Sequence, residues 1–274
     1  MTWPHALLSL PLVTLAMGMQ LSVGAWAACS RVINVPLSAT GQSVVVDGET
    51  ISGIYPDLLR SIGEKEACTF AMTAVPRARL ENLFETGRAD LLIPASRTPK
   101  RDLSGTFVAL IHNRAMLISL QSTRPPIVTT QQLLDQTGQK IALVRGFDYG
   151  PQYQQLVATL SQQGRLILEV DALSVARLLK AGVADFTIMA PSILAGAMQD
   201  DDRVRELVDK LRLEALPELP WGDSGVYLSN SSLSPQDKAA LQDALERAAK
   251  SGAVWKAFQR YYDPAILKGS IRPL

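Results

Sequence analysis

The stretch Val75-Pro76-Arg77-Ala78-Arg79-Leu80, continuing to Gly87-Arg88-Ala89-Asp90-Leu91-Leu92-Ile93, returns without a gap as Val170 through Gly182-Val183-Ala184-Asp185-Phe186-Thr187-Ile188. Gly87 and Gly182, like Asp90 and Asp185, stand 95 residues apart, and Leu80/Val175, Leu83/Leu178 and Phe84/Leu179 keep that register. Each copy reads as a strand ending at Val75 or Val170, a helix with apolar residues at i, i+3 and i+4, a glycine stop and a second apolar strand. That is a βαβ pattern, and two copies predict two α/β lobes. Ligands of open parallel sheets sit beyond the carboxyl ends of the strands, so two such lobes face to face would enclose a cleft.

The chain has 274 residues, 47% hydrophobic and 19% charged, which places it in the ordinary globular class with enough length for two modest cores. Its 27 Lys+Arg against 26 Asp+Glu leave a net charge of +1, too weak a field to hold nucleic acid or an anionic membrane. Residues 6–19 form an apolar run and Ala25-Trp26-Ala27 is a small-x-small cleavage site, so residues 1–27 read as a signal peptide, an uncleaved anchor being the alternative. No later stretch reaches about 18 apolar residues, so the mature chain is expected to be exported and soluble. Cys29 and Cys68 each precede an apolar run. If those runs are neighbouring parallel strands, the two sulfurs lie at the same end of the sheet and a disulfide is geometrically reasonable. The alternative makes Cys29 a lipoprotein's acylated cysteine, against which Trp26 stands where such signals usually carry Leu.

Outward from the first repeat unit, the first lobe opens with a strand over 32–37, a hairpin turn at Asp47-Gly48 and a helix over 55–62 that Gly63 ends. Residues 107–120 read as apolar strand running into the turn signal Thr123-Arg124-Pro125-Pro126. The second lobe starts with a short helix over 131–136, a buried strand over 141–144 and a helix over 153–160. Asp200-Asp201-Asp202 lacks the spaced ligands and turn glycine of a calcium loop and fits a helix N-terminus. Ser234-Pro235-Gln236-Asp237 is a capped helix start, Gly252 a stop, and 254–262 a last helix. These C-terminal helices have no counterpart in the repeat and are expected to cover the first lobe.

Gly53-Ile54-Tyr55-Pro56-Asp57-Leu58-Leu59, the Gly87-x-x-Asp90 strand entry, Ser96-Arg97-Thr98-Pro99-Lys100-Arg101 and Gly252-Ala253-Val254-Trp255 together resemble the extracellular solute-binding proteins of family 3, periplasmic receptors of polar amino-acid importers. The resemblance spans almost all of the mature chain. It implies a type II periplasmic-binding-protein-like fold: two α/β lobes, each a mixed, mainly parallel sheet flanked by helices, hinged by two crossover strands near 115–122 and 221–228. The first lobe would comprise residues 28–118 and 222–274, and the second residues 119–221.

The resemblance also implies that Arg101 holds a ligand carboxylate, with Ser96 and Thr98 as donors; a planar guanidinium grips a carboxylate bidentately where a lysine does not. Family members that bind amino acids place an aspartate after the second Gly-x-x-Asp strand for the ammonium group. Here Ala190 stands there. Arginines follow several strand ends: Arg77 and Arg79, Arg97 and Arg101, and Arg145. A cleft lined by three of them takes an anion. Arg77 and Arg145 are the best placed, Gly146 permits close approach of backbone to ligand, and Tyr55, Tyr149 and Trp221 offer apolar surface. The expectation is a monomeric periplasmic receptor for a small anionic ligand, serving an ABC-type permease or a sensor kinase.

Enzyme readings are weaker. Gly222-Asp223-Ser224-Gly225 looks like a serine-protease nucleophile loop, but the repeated βαβ units contradict that fold and His112 lacks the partner motif. Some proteins of this shape are exported cyclohexadienyl dehydratases, for which Asp148 would be the general acid. One histidine beyond residue 27 leaves no metal cluster at ligand spacing, and no phosphate-loop or dinucleotide motif calls for a cofactor.

Overall fold

The computed structural model describes Met1 and residues 28–274; apart from Met1, the expected signal peptide lies outside the described residues. Strand β1 (Ile33–Leu37) leads through the hairpin β2 (Val45–Asp47) and β3 (Thr50–Ser52) and helix α1 (Ile54–Glu66) to β4 (Phe70–Ala74). Helix α2 (Arg77–Glu85), β5 (Leu91–Ser96), the short α3 (Pro99–Asp102) and β6 (Gly105–Asn113) complete the first pass through the first lobe. The second lobe holds β7 (Met116–Leu120), α4 (Thr130–Asp135), β8 (Ile141–Val144), α5 (Pro151–Gln162), β9 (Leu166–Glu169), α6 (Ala172–Lys180), β10 (Phe186–Met189), α7 (Pro191–Gln199), a 3-10 helix (Arg205–Lys210) and β11 (Leu211–Glu214). The chain then returns as β12 (Gly222–Ser229), α8 (Pro235–Lys250), α9 (Ala253–Tyr261), α10 (Pro264–Leu267) and β13 (Ile271–Arg272).

The second-lobe sheet runs β9-β8-β10-β7-β11. In the first lobe β4 pairs with β1 and the neighbouring sheet runs β5-β12-β6-β13, the Asp90 N–H donating to the Asn34 carbonyl at 2.9 Å to stitch β1 to the entry of β5. Both lobes thus follow one plan, parallel through the repeat unit and antiparallel beyond it, where β12 and β7 carry the chain in from the other lobe. The run 107–120 is two strands rather than one, because β6 and β7 belong to different sheets; the chain crosses at 114–115 and again at 215–221.

The repeated residues do the same work twice. Gly87 and Gly182 leave α2 and α6 at φ 67° and 66°, the left-handed conformation that glycine adopts without strain. Asp90 Oδ2 accepts the Asn34 N–H at 2.7 Å, and Asp185 Oδ2 accepts the Lys140 N–H at 2.8 Å, each tying the entry of a strand to its neighbour. Asp90 also receives two bonds of 2.7 Å from Arg31 and one of 2.7 Å from the Ser232 hydroxyl. Burial pushes its carboxyl pKa up, but Arg31, Ser232 and the Asn34 N–H more than offset this and hold it below the usual range. A depressed folded-state pKa contributes stability above the unfolded value that is lost as pH falls through the folded one. Asp90→Asn is therefore expected to cost about 2 kcal/mol at pH 7. The gap between the variant and the wild type should narrow only below about pH 4 in urea titrations, and a gap that stays constant down to about pH 2 would contradict this account.

The first core joins Ile33, Leu37, Leu59 and Ile93 to Leu245 and Phe258 of the C-terminal helices, which cover the first lobe as expected. The second-lobe sheet is buried on both faces, with Ile118 and Val175 on one side and Leu133 and Ile188 on the other. Cys29 and Cys68 are bonded, their Cα atoms 5.1 Å apart, so the sulfur of Cys29 is engaged within the fold. Two local expectations change. Gly63 stays inside α1, which closes on Ala67; a Cβ at Gly63 would stand 2.6 Å from the Cys68 carbonyl oxygen, so glycine serves the close return into β4. Asp201 pairs with Arg177 and Arg203 at 2.8 and 2.6 Å, and the segment after it forms the 3-10 helix. No helix among the described residues is long and apolar enough to cross a membrane.

Candidate functional site

The carboxyl ends of β4 and β5 face those of β8 and β10, and the loops that follow meet between the lobes. Arg77 opens α2 and points inward, 5% exposed. Arg101 sits on α3, 3% exposed, where the Thr98 hydroxyl accepts the Arg101 N–H at 3.3 Å as the helix cap. Both guanidinium groups converge on Glu81, one turn along α2 from Arg77. Arg77 donates Nε and Nη2 to Glu81 Oε1 at 2.9 and 2.6 Å, and Arg101 donates Nη2 to Oε1 at 2.7 Å and Nε to Oε2 at 3.1 Å. Their remaining bonds go to main chain, Arg77 Nη1 to the Pro94 carbonyl at 2.8 Å and Arg101 Nη1 to the Ser96 carbonyl at 2.8 Å.

Two cations and one anion leave this cluster with a net charge of +1. Burial alone would raise the Glu81 carboxyl pKa, but the two guanidinium groups override it and hold the group below the usual carboxylate range. Burial pulls the Arg77 guanidinium below its ordinary value, with Glu81 opposing. The second lobe lies directly on the cluster: Arg101 Nη1 reaches the Asp148 carbonyl at 3.4 Å and the Arg77 guanidinium lies 5.9 Å from the Phe147 ring centroid. Gly146, at φ 91°, lets the two lobes touch, since a Cβ there would stand 3.1 Å from the Ala78 backbone. Tyr149 receives the Ala190 N–H on its hydroxyl at 3.2 Å, and burial pushes its pKa up to about 12.

Two cavities border the cluster. One of about 40 Å³ is lined by Arg77, Ser96, Arg101, Phe147, Asp148 and Tyr149. The other, about 590 Å³, is an open groove between α2 and α5 along which Glu81, Lys100, Arg101 and Arg145 are placed.

The residues singled out from sequence fall into three groups. Arg77, Arg101, Ser96, Gly146 and Tyr149 meet at the inter-lobe cluster. Thr98, 1% exposed, stands behind it, positioning Arg101 and donating its N–H to the Tyr227 hydroxyl at 2.9 Å, while Arg145 is exposed on the groove and donates to the Leu168 carbonyl at 3.3 Å. Tyr55 and Trp221 lie elsewhere: Tyr55, 1% exposed, packs against Phe258 in the first core, and Trp221 is in cation–π contact with Arg114 and Arg272. Glu81 was not singled out. The signal for it was the i, i+4 spacing from Arg77 on a helix.

Asp148 spends its carboxylate on the Gly150 N–H at 2.9 Å, at the start of α5. Asp223 bonds His112 at 2.8 Å, whereas Ser224, the next residue of the same strand, is buried on its opposite face, so these residues form no triad. Among the described residues no group of three or more His, Cys, Asp or Glu side chains is arranged to hold a metal ion.

No protein-family model and no curated protein sequence matches the chain. Solved structures do. A histidine kinase sensor domain with similarity to periplasmic binding proteins aligns over 84% of this chain and 96% of its own, at 18% identity and a TM-score of 0.67. The substrate-binding protein of an amino acid ABC transporter aligns over 85% and 99%, at 15% identity and a TM-score of 0.64. An ancestral arginine-binding protein bound to glutamine aligns over 84% and 97%, at 14% identity and a TM-score of 0.66. At these identities the likeness concerns the fold: the chain has the two-lobed periplasmic-binding-protein-like architecture, shared with binding proteins of amino-acid transporters and with a sensor domain.

Proposed function

We propose that this chain is a solute receptor of the family 3 type, located in the periplasm, that takes up a small carboxylate-bearing molecule between its lobes and presents it to an ABC-type permease. The observation that carries the reading is the arginine pair. Two buried guanidinium groups from different segments aim four N–H donors at one carboxylate between the lobes, and Glu81 occupies that geometry. The second lobe brings Phe147, Tyr149 and Ala190 to this point together with Asp148, whose carboxylate accepts the Gly150 N–H and has no cationic partner among the described residues. The arginine pair thus accounts for a ligand carboxylate, and Asp148 leaves room for a ligand that also carries a positive group. Input to a sensor kinase is the second reading, supported by the likeness to a kinase sensor domain. For a dehydratase role Asp148 stands at both cavities with one oxygen bonded to the Gly150 N–H, and the assay for product from prephenate or arogenate decides between enzyme and receptor.

The test is a thermal-shift screen of the purified protein against mono-, di- and tricarboxylates, acidic amino acids and aromatic acids. A carboxylate at a hundred times its Kd is expected to stabilise the protein by about 2.7 kcal/mol. The same compound should bind Arg101→Met about thirtyfold more weakly, the equivalent of about 2 kcal/mol. A panel without a stabilising carboxylate, unchanged affinity in Arg101→Met, or product formed from prephenate or arogenate would overturn the reading.

A further inference from the structure

Every member of the arginine–glutamate cluster belongs to the first lobe, yet the cluster is covered by the second. Two guanidinium groups close enough to share one carboxylate repel each other, and covering such a pair without an anion is strongly unfavourable because water no longer screens the charges. The closed arrangement requires an anion at that point, and Glu81 supplies it, accepting four N–H bonds through both oxygens. Asp148 of the second lobe lines both cavities but meets Arg101 through its main-chain carbonyl, its carboxylate being turned to the Gly150 N–H. The cavity left beside it, about 40 Å³, has room for about one water molecule and none for an organic acid. Glu81 also borders the groove of about 590 Å³, which gives its side chain a place to move when another carboxylate takes the guanidinium groups.

We infer that Glu81 is a built-in closing anion: it lets the lobes shut on the arginine pair without a solute, and an incoming carboxylate competes with it for the same donors. The competition rests on the receptor reading; the closing role does not, and it can be tested without any solute. Closure in this protein is then set by the charge on the arginine pair. With Glu81 the cluster carries +1 and the lobes close; without it the cluster carries +2 and they part.

Glu81→Ala removes a CH2–COO⁻ fragment, which acetate matches in size and charge. In chloride buffer, small-angle scattering of this variant is expected to show a radius of gyration larger by on the order of 1 Å than the roughly 18 Å of a compact chain of this length. Sodium acetate should return the radius to the wild-type value and raise the melting temperature, whereas sodium chloride at equal ionic strength should do neither and the wild type should respond to neither salt. Glu81→Gln should also open, and stay open in acetate, because its amide fills the space. Wild-type scattering from Glu81→Ala in chloride, or equal effects of acetate and chloride, would overturn the inference. Should Glu81→Ala fail to fold in both salts, Glu81→Gln decides, an open form supporting the inference and a closed form overturning it. A failed solute screen with successful acetate rescue would remove the receptor reading and leave this one standing.

Discussion

Replacing Cys29 and Cys68 together by alanine is expected to lower the stability of the protein by about 4 kcal/mol and its melting temperature by roughly 8–16 °C. The bond closes a loop of 39 residues that contains β1, the β2–β3 hairpin and α1, most of one half of the first lobe. Opening that loop in the unfolded chain restores conformational freedom that the crosslink denies, and the gain grows with the logarithm of loop length. In the folded chain both cysteines are 7% exposed at the entries of β1 and β4, so the alanine pair also gives up packing in the first core. Wild type held in reductant should follow the double variant in calorimetry. A loss under about 1 kcal/mol in both would mean that β1 and β4 are held in register by their ladder alone.

The fold was legible because the repeat encodes covalent and conformational requirements that do not depend on distant residues. A glycine at a left-handed helix exit and an aspartate that accepts a strand N–H recur at one spacing, and they recur in space as Gly87/Gly182 and Asp90/Asp185. The cleft was legible in part. Arg101 stood in a loop at a strand's carboxyl end, and the loop does lie between the lobes. Glu81 escaped because an i, i+4 Arg–Glu spacing on a helix carries no sign of whether the pair faces solvent or a cleft. What turns that pair inward is Arg101, which is 20 residues further along and arrives only when β5 has crossed the sheet, together with the cover supplied by residues 146–149 of the other lobe. Tyr55 and Trp221 show the converse: an aromatic residue near a strand or helix end faces a cleft or a core according to helices that pack much later in the chain, here α9 for Tyr55 and the Arg272 end for Trp221.

Arg101→Met should destabilise the protein by about 3 kcal/mol while leaving the lobes closed. The substitution removes two bonds to Glu81 and the bond to the Ser96 carbonyl, in a place where the guanidinium is 3% exposed and water replaces none of them. Relief from desolvating the guanidinium offsets part of this, which keeps the figure at the lower end for a broken buried pair. Arg101→Lys keeps the charge but not the fork, and should recover less than half of the loss. Urea unfolding measures the first effect and scattering the second; a variant within about 0.5 kcal/mol of wild type would show that Arg77 alone satisfies Glu81. The sign of the remaining charge is what separates the two substitutions in this cluster. Without Arg101, Arg77 and Glu81 neutralise each other and the second lobe covers a balanced pair, so stability falls and closure persists. Without Glu81, two cations face the second lobe, and the least costly response is for the lobes to part and let water in.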